Sequence, residues 1–377
     1  MITKDLIKPF YLDLTEDEIQ FISAGTAEIL RSGQLILGKH TERFECEFAS
    51  YIGTRYAVAF NSCTSALEAM LTIKLESSRV YGNEPKQNLK VLVPSNTNFA
   101  SVAAIIRSGA CPVYMDMDPG YFAPSLSNFM NAYSQHTDIA GVLWVHIGGV
   151  IHPEFPKIVD LCREKGIFVV EDDAHAHGSS LGGVKAGNMG DGGCFSFFPT
   201  KVMTTIEGGI VTINSEEERD ILKSFRNQGK RGQAFGGLHH DLGNSWRISE
   251  VSALMGLVQL KKLDFMIQKR MEAVRLLEKA LDDLGVPYCR TDHMDASSQY
   301  KFIVKYDNKP IEDIKEDFKK HGIIIGGGVY EIPCHLQPVF EPYSVQDIDL
   351  ANTEKFCPKH FCPPVTSGTT EEDTVRI

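Results

Sequence analysis

The chain has 377 residues, enough for about two domains, and its 43% hydrophobic and 23% charged residues are ordinary for a globular protein. A net charge of −11 argues against bulk attraction to nucleic acid or an anionic membrane, and no apolar run is long enough to span a bilayer. Nine cysteines without a CxxC pair are expected to be free thiols in a reducing cytoplasm, and the start Met1-Ile2-Thr3-Lys4-Asp5 lacks the basic and apolar regions of a signal peptide.

Over the first two thirds of the chain, short apolar runs alternate with helical patterns. Tyr56–Phe60 reads as a strand and Thr64–Leu75 as a helix. The pairs Lys90–Val93 with Phe99–Arg107, Pro112–Met117 with Leu126–Tyr133, and Ala140–His146 with Phe155–Glu164 repeat that order. Three more strands follow at Ile167–Glu171, Cys194–Phe197 and Gly209–Ile213. Most of these runs are continuously apolar, as strands covered on both faces should be. The pattern predicts an α/β fold with a mostly parallel seven-stranded sheet between helices. Ser249–Leu284 then reads as one long helix, with Val251, Leu254, Met255, Val258, Leu263 and Met266 mostly three or four apart. Candidate strands at Gln299–Tyr306 and Ile323–Ile325 complete a smaller α+β part. The expected division is therefore 1–248 for the large domain and 249–377 for the small one, with Gly326–Pro338 as an irregular connection near the site.

Three segments carry the chemistry. Asn61-Ser62-Cys63-Thr64-Ser65-Ala66-Leu67 puts small hydroxyl residues where a strand hands over to a helix. Free backbone N–H groups and the helix dipole suit a phosphate there, although simple N-capping has the same geometry. Glu171-Asp172-Asp173-Ala174-His175 emerges from a buried strand at the carboxyl edge of the sheet, where open α/β folds bind ligands. Phe195-Ser196-Phe197-Phe198-Pro199-Thr200-Lys201 brings a lysine after a later strand, with Glu207-Gly208-Gly209 as a tight turn behind it. A lone lysine is usually a surface lysine. A lysine combined with a strand-end acid is what pyridoxal phosphate (PLP) chemistry needs: an imine between lysine and cofactor, and a carboxylate that keeps the pyridine nitrogen protonated. In this reading Asp172 pairs with the nitrogen, Ala174 lies flat against the ring, His175 bonds the phenolic oxygen and Ser196 adds a phosphate contact. His239-His240 and His175-x-His177 lack the spacing and partners of a standard zinc site, so no metal is expected.

These motifs resemble the DegT/DnrJ/StrS family of sugar aminotransferases, fold-type-I PLP enzymes. Further matching segments are Phe44-Glu45-x-Glu47-Phe48-Ala49, Val93-Pro94-Ser95-x-Thr97, Asp116-x-Asp118, Val145-His146-x-x-Gly149 and Trp246-Arg247-Ile248-Ser249-Glu250. The resemblance implies that Lys201 holds the cofactor, that Asp172 and His175 serve its ring, and that Thr64, Ser65 and Ser196 serve its phosphate. It also implies a homodimer whose loop before Arg247 reaches into the neighbouring site. Departures from the family are Asn98 in place of an aromatic ring-stacking residue, with Phe99 next door as a substitute, and Asn244 one residue from the expected partner-site asparagine. Ile206 and Cys63 stand where glycines are usual. The basic stretch from Arg226 through His240 to Arg247, together with His335, is expected to meet an anion of donor or sugar.

The expected activity is amino transfer from glutamate to a keto sugar, nucleotide-linked in the leading case. The alternatives are a PLP-dependent sugar dehydratase, which has histidine in place of the lysine, and a PLP-binding regulator without turnover.

Overall fold

A computed structural model describes residues 6–80, 88–232, 236–343 and 349–377, so the start Met1–Asp5 lies outside the described residues. Helix α1 (Glu16–Ser32) begins at a capping box in which Thr15 and Glu18 satisfy each other's backbone N–H groups, and it ends at Gly33 with φ 71°. Helix α2 (Lys39–Ile52) leads into the alternating region: β1 (Tyr56–Phe60), α3 (Cys63–Val80), β2 (Lys90–Pro94), α4 (Phe99–Arg107), β3 (Cys111–Met115), α5 (Leu126–Ser134), β4 (Ile139–Val145), α6 (Phe155–Lys165) and β5 (Phe168–Asp172). A small hairpin, β6 (Ser180–Leu181) and β7 (Val184–Lys185), precedes β8 (Gly192–Ser196), β9 (Gly209–Ile213) and α7 (Glu216–Arg226). The remaining elements are α8 (Glu250–Leu260), α9 (Leu263–Leu284), β10 (Val304–Lys305), α10 (Ile311–Lys320), α11 (Ala351–Phe356), β11 (His360–Phe361) and α12 (Glu371–Arg376).

The main sheet has seven strands in the order β1-β9-β8-β5-β4-β2-β3, and only β9 runs antiparallel to its neighbours. Side chains alternate between its faces. Val58, Val91, Val93, Leu143, Val170 and Val211 pack on one side with α3 and α4. Ala59, Phe195 and Ile210 pack on the other against α2 and α8, beside Leu92, Val142, Trp144 and Val169 under α5 and α6. The predicted continuous apolar strands are thus explained by burial on both faces. The parallel strands end at one edge, where Asp172 closes β5 and Ser196 closes β8.

Two expectations change. The stretch 249–284 is not one helix: it breaks at Lys261 and Lys262, where Lys262 is held by Asp13 at 3.0 Å and Glu18 at 2.7 Å. Apolar spacing alone does not register such a break. The α8 half packs into the sheet-side core with Phe44 and Phe197, while Ala273, Val274 and Leu277 of α9 pack with Phe302, Ile314 and Phe361. The strands expected at 299–306 and 323–325 shrink to β10 and to a single bridge between Ile7 and Ile323. The backbone of 298–301 bonds instead to loops behind the site: the Ser298 N–H donates to Ser179 Oγ at 2.9 Å and the Lys301 N–H to the Gly148 carbonyl at 3.2 Å.

Candidate active site

A cavity of about 430 Å³ opens at the carboxyl edge of the sheet. Asp172 and Lys201 both line it, and so do Ala174, His175 and Ser196. Ser62, Cys63 and Thr64 contribute the first turn of α3. That turn lies hard against β9: a Cβ on Gly209 would come within 2.4 Å of Cys63 N, so only glycine allows the approach. Ser196, Cys63 and Thr64 therefore line the same cavity.

Asp172 is almost fully buried. Its Oδ2 accepts from Ser101 Oγ at 2.7 Å and its Oδ1 from the Ala174 N–H at 3.2 Å. Ser101 Oγ is itself 2.8 Å from Thr97 Oγ1, so a relay of two hydroxyls fixes the carboxyl. Burial raises its pKa above the usual carboxylate range, against the opposing pull of those bonds and of Lys201. Among the described residues no cation lies within 4.0 Å of it. A buried carboxyl without a counter-ion is suited to a positively charged ligand atom.

His175 is buried and its pKa is driven well below 6.5 by desolvation and then by Lys201 and Lys301. It is therefore neutral. The Gly148 N–H donates to its Nδ1 at 3.2 Å, which leaves the proton on Nε2. That Nε2 faces the Tyr330 hydroxyl at 3.4 Å, and Tyr300 packs on the ring at 4.4 Å between centroids. The Lys201 Nζ lies 4.5 Å from the centre of the Tyr300 ring.

Several expected site residues lie elsewhere in this chain. Ser65 turns its Oγ back to Asn61 Oδ1 at 2.7 Å and to the Ser62 carbonyl, so it braces the turn and does not line the cavity. Phe99 is also outside the cavity. It is the first residue of α4, next to the capping Asn98, where it is half-exposed and stacks on Phe340 at 5.3 Å. Asn98 is in the cavity wall and caps α4 through the Ala100 N–H at 3.0 Å. Asn244, exposed, bonds the Ser245 N–H at 2.8 Å, and His240 is exposed on the same excursion. Arg247 donates to Asn227 Oδ1 at 3.0 Å and to Ser245 Oγ, and its segment runs beside the α3 turn, where the Asn61 N–H donates to the Trp246 carbonyl at 2.8 Å. His335 lies between Ser95 Oγ at 2.6 Å and Glu354 Oε1 at 3.3 Å, and it ties the 329–337 loop to the end of β2.

Sequence reasoning missed Tyr330, Tyr300 and Ser101. Tyr330 sits in the Gly326–Pro338 connection, where only the glycines and prolines gave a signal. Ser101 looks like any small residue on a buried helix face. A further buried group stands behind the site: His146 Nε2 is 3.1 Å from Glu171 Oε2 and 3.8 Å from Asp173 Oδ1. Glu171 also accepts the N–H groups of Gly187, Met189 and Gly190, so it pins that loop under the sheet. Asp173, fully buried with neither oxygen hydrogen-bonded, has its pKa pushed well up by desolvation and by Glu171 and Asp172.

The cavity fits an aromatic phosphate cofactor. It offers a buried acid for a ring nitrogen, a flat alanine wall, a lysine with no carboxylate partner among the described residues, and a hydroxyl-rich helix start for an anion. Sheet order and site together define an α/β transaminase. The family described as DegT/DnrJ/EryC1/StrS aminotransferases matches residues 16–377, and the chain belongs to it. Its enzyme class is the PLP-dependent transaminase.

The chain is 28% identical to the spore coat polysaccharide biosynthesis protein SpsC of Bacillus subtilis, over 97% of this chain and 94% of that protein. It is 32% identical to the GDP-perosamine synthase of Escherichia coli O157:H7, over 66% of this chain and 64% of that one. S. venezuelae DesV, solved in complex with a ketimine intermediate, superposes with a TM-score of 0.84 at 26% identity, covering 96% of this chain and 93% of DesV.

Proposed function

We propose that the chain is a PLP-dependent aminotransferase that converts a keto sugar, a nucleotide-linked keto-deoxyhexose, into an amino sugar with glutamate as donor. The observation that carries this is the pairing of Lys201 with buried Asp172 in one cavity. The sugar is suggested by relatives such as GDP-perosamine synthase.

When bound, the cofactor supplies an electron sink for the carbon that loses its proton. Everything else falls to the chain's own residues. Asp172, oriented by Ser101 and the Ala174 N–H, keeps the pyridine nitrogen protonated. Ala174 leaves room for the ring, and the Nε2–H of His175 orients the phenolic oxygen. Ser62, Thr64, Ser196 and the N-terminus of α3 hold the phosphate. Lys201, in the cavity wall, would take the proton from the donor's α-carbon. A histidine at that position would mark the dehydratase, so Lys201 favours amino transfer.

We infer a homodimer in the cytoplasm. The support is the loop before Arg247, where Leu238 is 77% exposed and Leu242 is 100% exposed. Two large apolar side chains in water fit a surface that a second copy covers. No helix among the described residues is long and apolar enough to cross a membrane. We also keep the division at residue 248, with the cofactor held mainly by the first part.

The test is incubation with glutamate and a panel of nucleotide-linked keto sugars, following 2-oxoglutarate. Formation of 2-oxoglutarate together with an amino sugar supports the reading. A PLP-loaded protein that transfers no amino group to any of them contradicts it.

A further inference from the structure

Beside the cofactor cavity lies a second lobe of about 330 Å³, reached past Lys201. The two lobes share Asn98, His175, Phe198, Lys201 and Tyr330, so they form one continuous cleft. Their charges differ. The first contains Asp172 and Glu207, whereas among the described residues the wall of the second has no acidic residue and three cations: Lys201, Lys301 and Arg270.

Lys301 and Arg270 have no carboxylate within 4.0 Å among the described residues. Arg270 is buried, donates from Nη1 to the carbonyls of Gln299 at 3.2 Å and Val365 at 2.7 Å, and leaves its Nε without a partner. A guanidinium buried without a counter-ion is costly. The acidic groups that act on it are the Tyr300 phenol and, after it, Asp13, which is already taken by Lys262 at 3.0 Å. Lys301 reaches the lobe from the opposite side. Its Nζ is 5.6 Å from the centre of the Tyr300 ring, and a Cβ on Gly326 would lie 3.6 Å from it. Tyr300 is thus flanked by the ammonium groups of Lys201 and Lys301. Burial would raise its phenol, but Lys201, Lys301, the bond to Thr200 and Arg270 together outweigh burial and lower its pKa.

We propose that this lobe binds the carboxylate of the amino donor, with Lys301 as the residue that meets it and Arg270 as fixed positive charge behind Tyr300. This rests on the aminotransferase reading above. The chemistry of that reaction supplies the reason. An amino-acid donor carries its α-carboxylate one bond from the carbon that Lys201 must reach, so the anion has to lie close to Lys201. The cofactor's phosphate is provided for at the other end, by the first turn of α3. An acid-free lobe bounded by Lys201 and two uncompensated cations fits that carboxylate in place and in charge.

The experiment uses the PLP-loaded enzyme with Lys301→Met and Lys301→Arg. Glutamate and the keto sugar are varied independently, and glutarate, a dicarboxylate without a reactive amine, is titrated by calorimetry. Lys301→Met is expected to raise the KM for glutamate and the Kd for glutarate by about tenfold or more, as loss of a charge-assisted contact should. The KM for the sugar stays at the wild-type value, and Lys301→Arg retains most of the affinity for glutarate. Unchanged glutamate and glutarate constants in Lys301→Met overturn the proposal. So does a rise in the sugar's KM alone, which would assign the lobe to an acidic group of the sugar. Loss in Lys301→Arg equal to that in Lys301→Met also overturns it, since shape and not charge would then matter. A wild-type enzyme that accepts no amino donor would sink the aminotransferase reading itself, and the subsite with it.

Discussion

Asp172 and His175 are close in sequence and in space, yet their environments give them unequal tasks. Asp172 is a buried acid that must stay charged against the cofactor nitrogen, while His175 is held neutral and only aims a proton. Asp172→Asn is therefore expected to lower kcat by about 10²–10³-fold, the effect of removing one preorganised electrostatic partner. His175→Ala should lose clearly less, and equal losses in steady-state kinetics would contradict the ranking. Ile206 offers a test of stability. It holds φ 73°, a left-handed conformation that costs a side-chain-bearing residue about 1–2 kcal/mol. Glycine removes that strain, but its freer unfolded chain takes back about 0.4–1 kcal/mol. Ile206→Gly should leave the urea midpoint unchanged or raise it, and a clear fall would refute the strain argument. The segments of Lys201 and Asp172 were legible in the sequence as local patterns, whereas Ile206 stood out only as a departure from the family's usual glycine. Ser101, Tyr300 and Tyr330 were not legible, because nothing near them in sequence signals the chemistry they touch.

Among the elements, α2 depends on a residue more than two hundred positions away. It has no side-chain cap of its own. Instead, Glu250 accepts the N–H groups of Gly38, His40 and Thr41 and the hydroxyl of Thr41, which satisfies the exposed donors of the helix start. Burial would raise the pKa of Glu250, but those bonds outweigh it and the net shift is below 4.5. A lowered folded-state pKa stabilises the fold above the unfolded value and loses that contribution as pH falls through the folded value. Glu250→Gln is thus expected to cost about 1–3 kcal/mol near pH 7. The gap between wild type and variant should narrow as pH drops below 4.5. Denaturant melts across that range check it, and a gap independent of pH would contradict it. The strands of the main sheet were read close to their true bounds because burial on both faces leaves continuous apolar runs. The α8/α9 break and the short β10 were missed because ion pairs to Asp13 and Glu18 and backbone bonds to distant loops decide them.

At the scale of the whole molecule, the sheet sets one edge for the chemistry and the inferred dimer would complete it. Arg247 bonds within its own chain to Asn227 and Ser245, beside a loop with exposed Leu238 and Leu242. If that loop serves the neighbouring site, inactive Lys201→Ala and Arg247→Ala chains should regain activity when mixed, because one site of the heterodimer then carries neither lesion. Heterodimers that form but stay inactive would place Arg247 in its own chain's site or outside it. The chain order of strands and helices gave the large α/β part in advance, whereas the lobe between Lys301 and Arg270 arises only when segments far apart in sequence meet. The most direct measurement is borohydride reduction of the PLP-loaded protein followed by peptide mass spectrometry. The account predicts a single pyridoxyl adduct on Lys201, and an adduct on another lysine, or none, would contradict it.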